Sequence, residues 1–333
     1  MEEWNTNTVI WSLENLEHIP VKDPKRTLFI IGNGFDLFHG VPSRYQDFRN
    51  WLERNGEIAL IYELEGRLKS DSLWFDFERE LGKLSVSQNL DLVSEGLDMF
   101  DVYNPDSQAA DFYLAVEFAT NTFGDFILSL RQAFSGWISS LTINSEYKPF
   151  KNVLSQESMY LTFNYTDFLE TLYGIPEMNI CYIHGSRKHR DASLIFGHSI
   201  DSGLDGDTRV PYSPYFKEQR KNQLIFDAQD IAIDYLSIYD QDITKNTYEV
   251  IASHRCFFHA QTWVKDIVVL GHSLSIIDYP YFNFLQDKLN NLEDVIWHIT
   301  YYTEYDLERI WIFINNMGID PNHVRLIQLN KDA

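Results

Sequence analysis

The chain has 333 residues, 49 acidic against 27 basic, and a formal net charge of −22. That balance argues against broad electrostatic binding of DNA or RNA, which needs a basic face, while 44% hydrophobic and 15% aromatic content supports a substantial core. Two cysteines, Cys181 and Cys256, lie far apart without metal-ligand spacing and fit a reducing cytosol rather than a disulfide framework.

Residues 1–26 read as a polar N-terminal extension with a short helix around 11–18 and a turn at Pro24-Lys25-Arg26. The acidic start lacks the apolar core of a signal peptide, and no apolar run of about 18 residues marks a membrane span. The expectation is a cytoplasmic protein. The first strand is Thr27–Ile31, and it feeds straight into Gly32-Asn33-Gly34. A cluster of Asp36, His39, Ser43, Arg44, Tyr45 and Asp47 follows. A short apolar strand ending in a glycine turn is how nucleotide-binding α/β sheets begin, with loop amides facing a phosphate or ribose. The third glycine of G-x-G-x-x-G is missing, and no G-K-[ST] follows, so neither the dinucleotide fingerprint nor a P-loop is present.

Ser43 reads as the N-cap of the next helix, with Tyr45, Phe48, Trp51 and Leu52 at helical spacing. Residues 51–150 lack strand signals and read as a helical insertion. It includes a candidate helix over 71–84, a turn-rich loop at Tyr103-Asn104-Pro105-Asp106, and an aromatic stripe from Phe112 to Phe134 that is most simply helix core. Residues 27–50 and 151–333 form the α/β core, interrupted by a second, mostly helical insertion over 205–262 that carries Lys217, Arg220 and Lys221. Further strands are expected at 159–163, before Asn164-Tyr165-Thr166-Asp167; at 179–183, before His184-Gly185-Ser186; at 193–196, before Gly197-His198-Ser199; and at 266–270, before Gly271-His272-Ser273 with Asp278 close behind. A helix at 168–173 ends on Gly174. A strand at 295–301, a helix near 305–316 and a strand at 324–328 complete the chain.

Five strand-like runs therefore end in polar clusters: GNGFD, FNYTD, HGS and GHS twice. In a parallel sheet all such ends lie on one edge, where ligands bind. The expected class is α/β: a Rossmann-like, mostly parallel sheet flanked by helices, with large helical insertions. Each element also has a structural reading. The glycines serve a tight turn, Asp36 caps a short helix, His39 fills a surface, Asn164 satisfies a turn, and Thr166 or Asp167 caps the following helix. His184 before Gly185 stands out, because a strand-end His with its ring free suits proton transfer near neutral pH. His184, His198 and His272 share no i, i+4 face, so no metal is expected. Neither GHS triplet is a G-x-S-x-G elbow.

GNGFDLFHGVPSRYQDF, LTFNYTDFLE, IHGS and LGHSLSIIDYPYF resemble the signature blocks of the AbiH family, bacterial proteins tied to abortive infection by phage. More distantly the blocks are similar to sirtuin-like proteins. That resemblance implies NAD as ligand or substrate. It makes Asp36, Asn164 and His184 the catalytic candidates, and Gly32, Asn33, Gly34, Phe35, His39, Gly185, Gly271, Ser273 and Asp278 the cofactor-binding ones. GNGFD departs from the usual small-residue loop, and no four-cysteine module supports deacetylation. The implied activity is NAD(P) hydrolysis at the nicotinamide–ribose bond. The alternatives are a non-catalytic nucleotide sensor and a nuclease holding Mg²⁺ at Asp36, Asp167 and Asp278. A phage or host protein as trigger and a homo-oligomer stay open as partners.

Overall fold

The computed structural model describes residues 10–11, 23–84, 109–189, 194–199 and 241–329, with most positions between 227 and 239. The loop at 103–106 and the basic residues Lys217, Arg220 and Lys221 lie outside these, as does the helix expected over 11–18 beyond Trp11. Two compact units divide the chain. One comprises Met1–Asp47, Ile138–Leu194 and Asn246–Ala333; the other comprises Phe48–Trp137 and Ile195–Lys245.

The first unit is built on a seven-stranded parallel sheet of order β1-β9-β8-β7-β2-β3-β4. The strands are β1 (Ile10–Trp11), β2 (Thr27–Ile31), β3 (Met159–Thr162), β4 (Ile180–Tyr182), β7 (Asp266–Leu270), β8 (Ile296–Tyr301) and β9 (Val324–Gln328); β5 (His198–Ser199) and β6 (Thr244–Lys245) form a separate pair. β2 and β7 are buried along their whole length. This explains their unbroken apolar runs, since central parallel strands are covered on both faces. From β2 the chain winds outward through β3 and β4, then returns to the other side of β2 for β7, β8 and β9. That is the doubly wound, Rossmann-like order, and its switch point lies between β2 and β7. Helices Phe168–Tyr173, Tyr279–Gln286 and Glu304–Asn316 follow β3, β7 and β8. The first ends on Gly174 in the left-handed conformation, φ 68°, a helix stop that a residue without Cβ adopts freely.

The N-terminal extension contributes β1, paired in parallel with β9 through Ile10 and Trp11. Strand was not expected there, because two residues show no alternation. Ser43 does not cap the next helix. That helix runs Tyr45–Arg54, and the Arg44 N–H donates to Asp47 Oδ2 at 3.0 Å.

In the second unit, helices Ile58–Leu68 and Phe77–Leu81 and most of helix Ala109–Ser140 pack around Phe48, Trp74, Phe77, Phe134, Trp137 and Phe196. Val116, Thr120, Phe123, Ile127, Leu130, Phe134 and Trp137 form the buried stripe of the long helix at helical spacing, whereas Leu114 and Phe118 are exposed. The helix expected over 71–84 is shorter, with turns preceding Phe77–Leu81. The first GHS triplet belongs to this unit. Of the strand expected at 193–196, the described residues 194–196 form none, and His198-Ser199 pairs with Thr244-Lys245 in a separate two-stranded ladder. A Cβ on Gly197 would lie 1.6 Å from Ile243 O, which shows how closely the two segments press together.

At the switch point of the main sheet the loops after β2 and β7 touch backbone to backbone. A Cβ on Gly32 would lie 2.4 Å from His272 Cα. One on Gly34 would lie 2.7 Å from Gly271 Cα, and one on Gly271 would lie 2.3 Å from Phe35 N. Gly271 also holds φ 65°. Gly318, at φ 63° with open space around it, shares the conformation without the crowding. Gly318→Ala is expected to cost about 1 kcal/mol, the left-handed penalty alone. Gly271→Ala is expected to cost several times more in urea denaturation; equal losses would show that the close approach is not limiting.

Candidate functional site

The strand ends come out level. Ile31 pairs with Thr162 on one side and Leu270 on the other, and Thr162 pairs with Tyr182. The ladder runs on past the strands: Gly32 N–H donates to Leu270 O at 3.0 Å, Phe163 N–H to Ile31 O at 2.8 Å, and Ile183 N–H to Thr162 O at 3.1 Å. Residues just beyond β2, β3, β4 and β7 thus share one edge.

The segment after β2 is a short helix, α1 (Asn33–Phe38), with Gly32 at its N-cap, rather than an open glycine loop. Gly34 N–H donates to Gly271 O at 2.7 Å and Phe35 N–H to Gly32 O at 2.9 Å. With Gly32 N–H on Leu270 O, three of the amides expected to face a phosphate are therefore spent inside the protein. The glycines serve the approach of two loops. Asn33 is exposed, and its Nδ2 donates to Ser43 O at 2.8 Å.

α1 turns Asp36 inward, where it is 2% exposed. Asn164 Nδ2 donates to its Oδ1 at 2.9 Å and Thr166 Oγ1 to its Oδ2 at 2.7 Å. Both donors come from the chain leaving β3, two residues apart. Burial pushes the Asp36 carboxyl up to about 7; the hydrogen bonds from Thr166 and Asn164 and the charge of Arg187 pull it back, and Asp167 adds to the rise. Arg187 itself is tied to Asp167, Nε to Oδ1 at 2.8 Å, and to Leu141 O at 2.5 Å. Asp167 stands at the N-cap of the following helix, and its carboxylate bonds Arg187 instead of the helix.

Phe35 and His39 are core residues of this corner. Phe35 stacks on Phe150 with ring centroids 5.4 Å apart. His39 Nδ1 lies 2.7 Å from Phe35 O, and a carbonyl only accepts, so Nδ1 carries the proton. Nε2 then accepts from the Tyr173 hydroxyl at 2.6 Å. Burial lowers the His39 pKa, which keeps this neutral arrangement. His39 is a pillar under α1 rather than a surface group.

The second half of the edge is aromatic. Phe163 meets the His272 ring at 4.3 Å, His184 at 5.4 Å and Tyr281 at 5.6 Å between centroids. His184 is 2% exposed and packed by Phe163, Tyr165 and Tyr281, so its ring is enclosed rather than free at the edge. Gly185, at φ 84°, turns the chain behind it. Asp278 faces His272 across 3.6 Å, while Ser273 is exposed. Asp36 with Asn164, and His184 with His272 around Phe163, are thus gathered from four strand ends. Thr166, Phe163 and Tyr281 were not singled out as site residues. A Thr two positions after a strand-end Asn was the available signal for the first; burial around one phenylalanine leaves none.

Among the described residues, no group of three or more His, Cys, Asp or Glu converges as a metal site. Asp36, Asp167 and Asp278 bond or face different partners: Asn164 and Thr166, Arg187, and His272. No described helix is long and apolar enough to cross a membrane. A family model described as bacteriophage abortive infection AbiH matches residues 28–301. Comparison with curated proteins and with solved structures finds no match.

Asp36 holds its proton up to about pH 7 when folded, against an ordinary carboxylate value of 3.8. Its contribution to stability is therefore whole below the lower value and is lost as pH rises through the upper one, because the unfolded chain has already released the proton. Asp36→Asn is expected to gain on the unmutated protein as pH rises from about 5 to about 8 in urea melts. A flat difference would mean that Asp36 titrates as an ordinary carboxylate.

Proposed function

The chain belongs to the AbiH family of bacteriophage abortive-infection proteins, and from that premise we propose that it hydrolyses NAD(P) at the nicotinamide–ribose bond. The observation that carries the reading is the buried Asp36 carboxyl beside the switch point of a doubly wound sheet, the place where such sheets bind nucleotides. A distant sirtuin-like resemblance of the strand-end blocks, read from the sequence alone, points to the same substrate.

Cleavage of this bond builds positive charge on the ribose, and nicotinamide leaves as a neutral ring, so no strong general acid is needed. Ionised Asp36, fixed by Asn164 and Thr166, sets a negative charge toward that ribose. Asn164 acts through this bond, holding Asp36. His184 takes the proton of the attacking water as oxygen bonds to the anomeric carbon and the C–N electron pair passes to the pyridinium nitrogen. Because the glycine amides are spent inside the fold, the ribose rather than the diphosphate lies against α1. Loss of NAD would arrest an infected cell.

The deep burial of Asp36 and His184 favours a second reading, a nucleotide sensor that binds without turnover. Expression of the unmutated protein is expected to deplete cellular NAD, with turnover rising as pH passes the Asp36 value of about 7. Asn164→Ala and His184→Ala are each expected to slow depletion roughly a hundredfold. Equal depletion by both variants would refute these roles, and tight binding without depletion would support the sensor.

A further inference from the structure

We propose that Asp278 accepts the hydroxyls of a nucleotide ribose and that His272 is the residue that positions it; the ligand class rests on the nucleotide reading above. β7 ends at Leu270, and Gly271 swings the chain so that the His272 ring is buried. Two residues on, Leu274 holds φ 52°, a left-handed conformation that a branched side chain adopts only when its surroundings demand it. Its N–H donates to His272 Nδ1 at 2.9 Å. A ring nitrogen that accepts carries no proton, so the neutral ring bears its proton on Nε2. Nε2 is the atom facing Asp278 Oδ2, 3.6 Å away. The strained turn thus sets the tautomer, and the tautomer sets a donor toward the carboxylate.

Aromatic neighbours hold the couple in place. His272 lies edge-on to Phe163 at 4.3 Å and to Phe282 at 5.4 Å. Asp278 closes the 3-10 turn Ile276–Asp278 and starts helix Tyr279–Gln286, which carries Phe282 and Tyr281. Asp278 is the charged group facing His272, and the titratable His184 and Tyr281 reach the other sides of Phe163. The couple stands on the β7 loop at the switch point, across from α1. A carboxylate only accepts hydrogen bonds and repels phosphate, so the matching ligand group is a pair of sugar hydroxyls.

Two measurements on the full chain test this. In ¹⁵N-histidine NMR at neutral pH, His272, assigned by its loss in His272→Gln, is expected as the Nε2–H tautomer; the Nδ1–H form would overturn the couple. In calorimetry with ADP-ribose, His272→Phe and Asp278→Asn are each expected to bind roughly tenfold more weakly. His272→Gln, whose amide restores a donor, is expected to recover most of that loss. Unchanged affinity in His272→Phe would overturn the positioning role, and absence of ADP-ribose binding by the unmutated protein would overturn the hydroxyl assignment. Binding with the expected variant pattern but no NAD consumption would sink the hydrolase and leave this inference standing.

Discussion

Gly34 lies against Gly271 with no Cβ on either side, and one hydrogen bond, Gly34 N–H to Gly271 O at 2.7 Å, joins them. The rest of the site depends on that approach. It draws the loops after β2 and β7 together at the point where the winding of the sheet reverses. It starts α1 at once after the strand, and a helix begun there places Asp36 four residues past Gly32, facing the chain leaving β3. Tyr302, just beyond β8, donates to Gly34 O at 3.2 Å and braces the same joint. Any side chain on these glycines separates the loops that carry Asp36 and the His272–Asp278 couple.

Around that joint buried and half-buried polar groups form matched sets. Asp36 takes one donor on each oxygen, His39 uses both ring nitrogens, and Arg187 bonds Asp167 and the main chain of residues 138–141. Unpaired, each would carry a desolvation cost of the order of 1–3 kcal/mol or more. Burial still outweighs the two hydrogen bonds at Asp36, which is why its carboxyl is pushed up. A site that holds a proton near neutral pH follows from this balance, and the net charge of −22 is no obstacle to the proposed function, in which these groups accept hydroxyls and stabilise a cation.

Much of the fold was legible because its strands are buried on both faces and read as short apolar runs with polar ends. β2, β3, β4, β7 and β9 fall where the sequence placed them to within a residue or two, and helix Phe168–Tyr173 stops at Gly174 as its sequence implies. Partner choice was not legible. Gly197-His198-Ser199 and Gly271-His272-Ser273 have the same letters, yet only the second follows a strand of the main sheet; the first pairs with residues 244–245, which no local pattern announces. Nor does Gly32-Asn33-Gly34 reveal on its own whether its glycines admit a ligand or a neighbouring loop. That depends on Gly271, more than 200 residues away, meeting it. Asp36, Asn164 and His184 were visible as strand-end polar residues. Thr166 was visible only as a helix cap, and its role as the second donor to Asp36 needed the third dimension.

The proposed function places a nucleotide against Asp36, on the C-terminal edge of this sheet. Hydrogen–deuterium exchange of the purified chain with and without saturating NAD tests it most directly. Added protection is expected in the segments after β2, β3, β4 and β7, residues 32–40, 163–168, 183–187 and 271–279. Protection confined to other segments, or none with NAD shown to be bound, would contradict it.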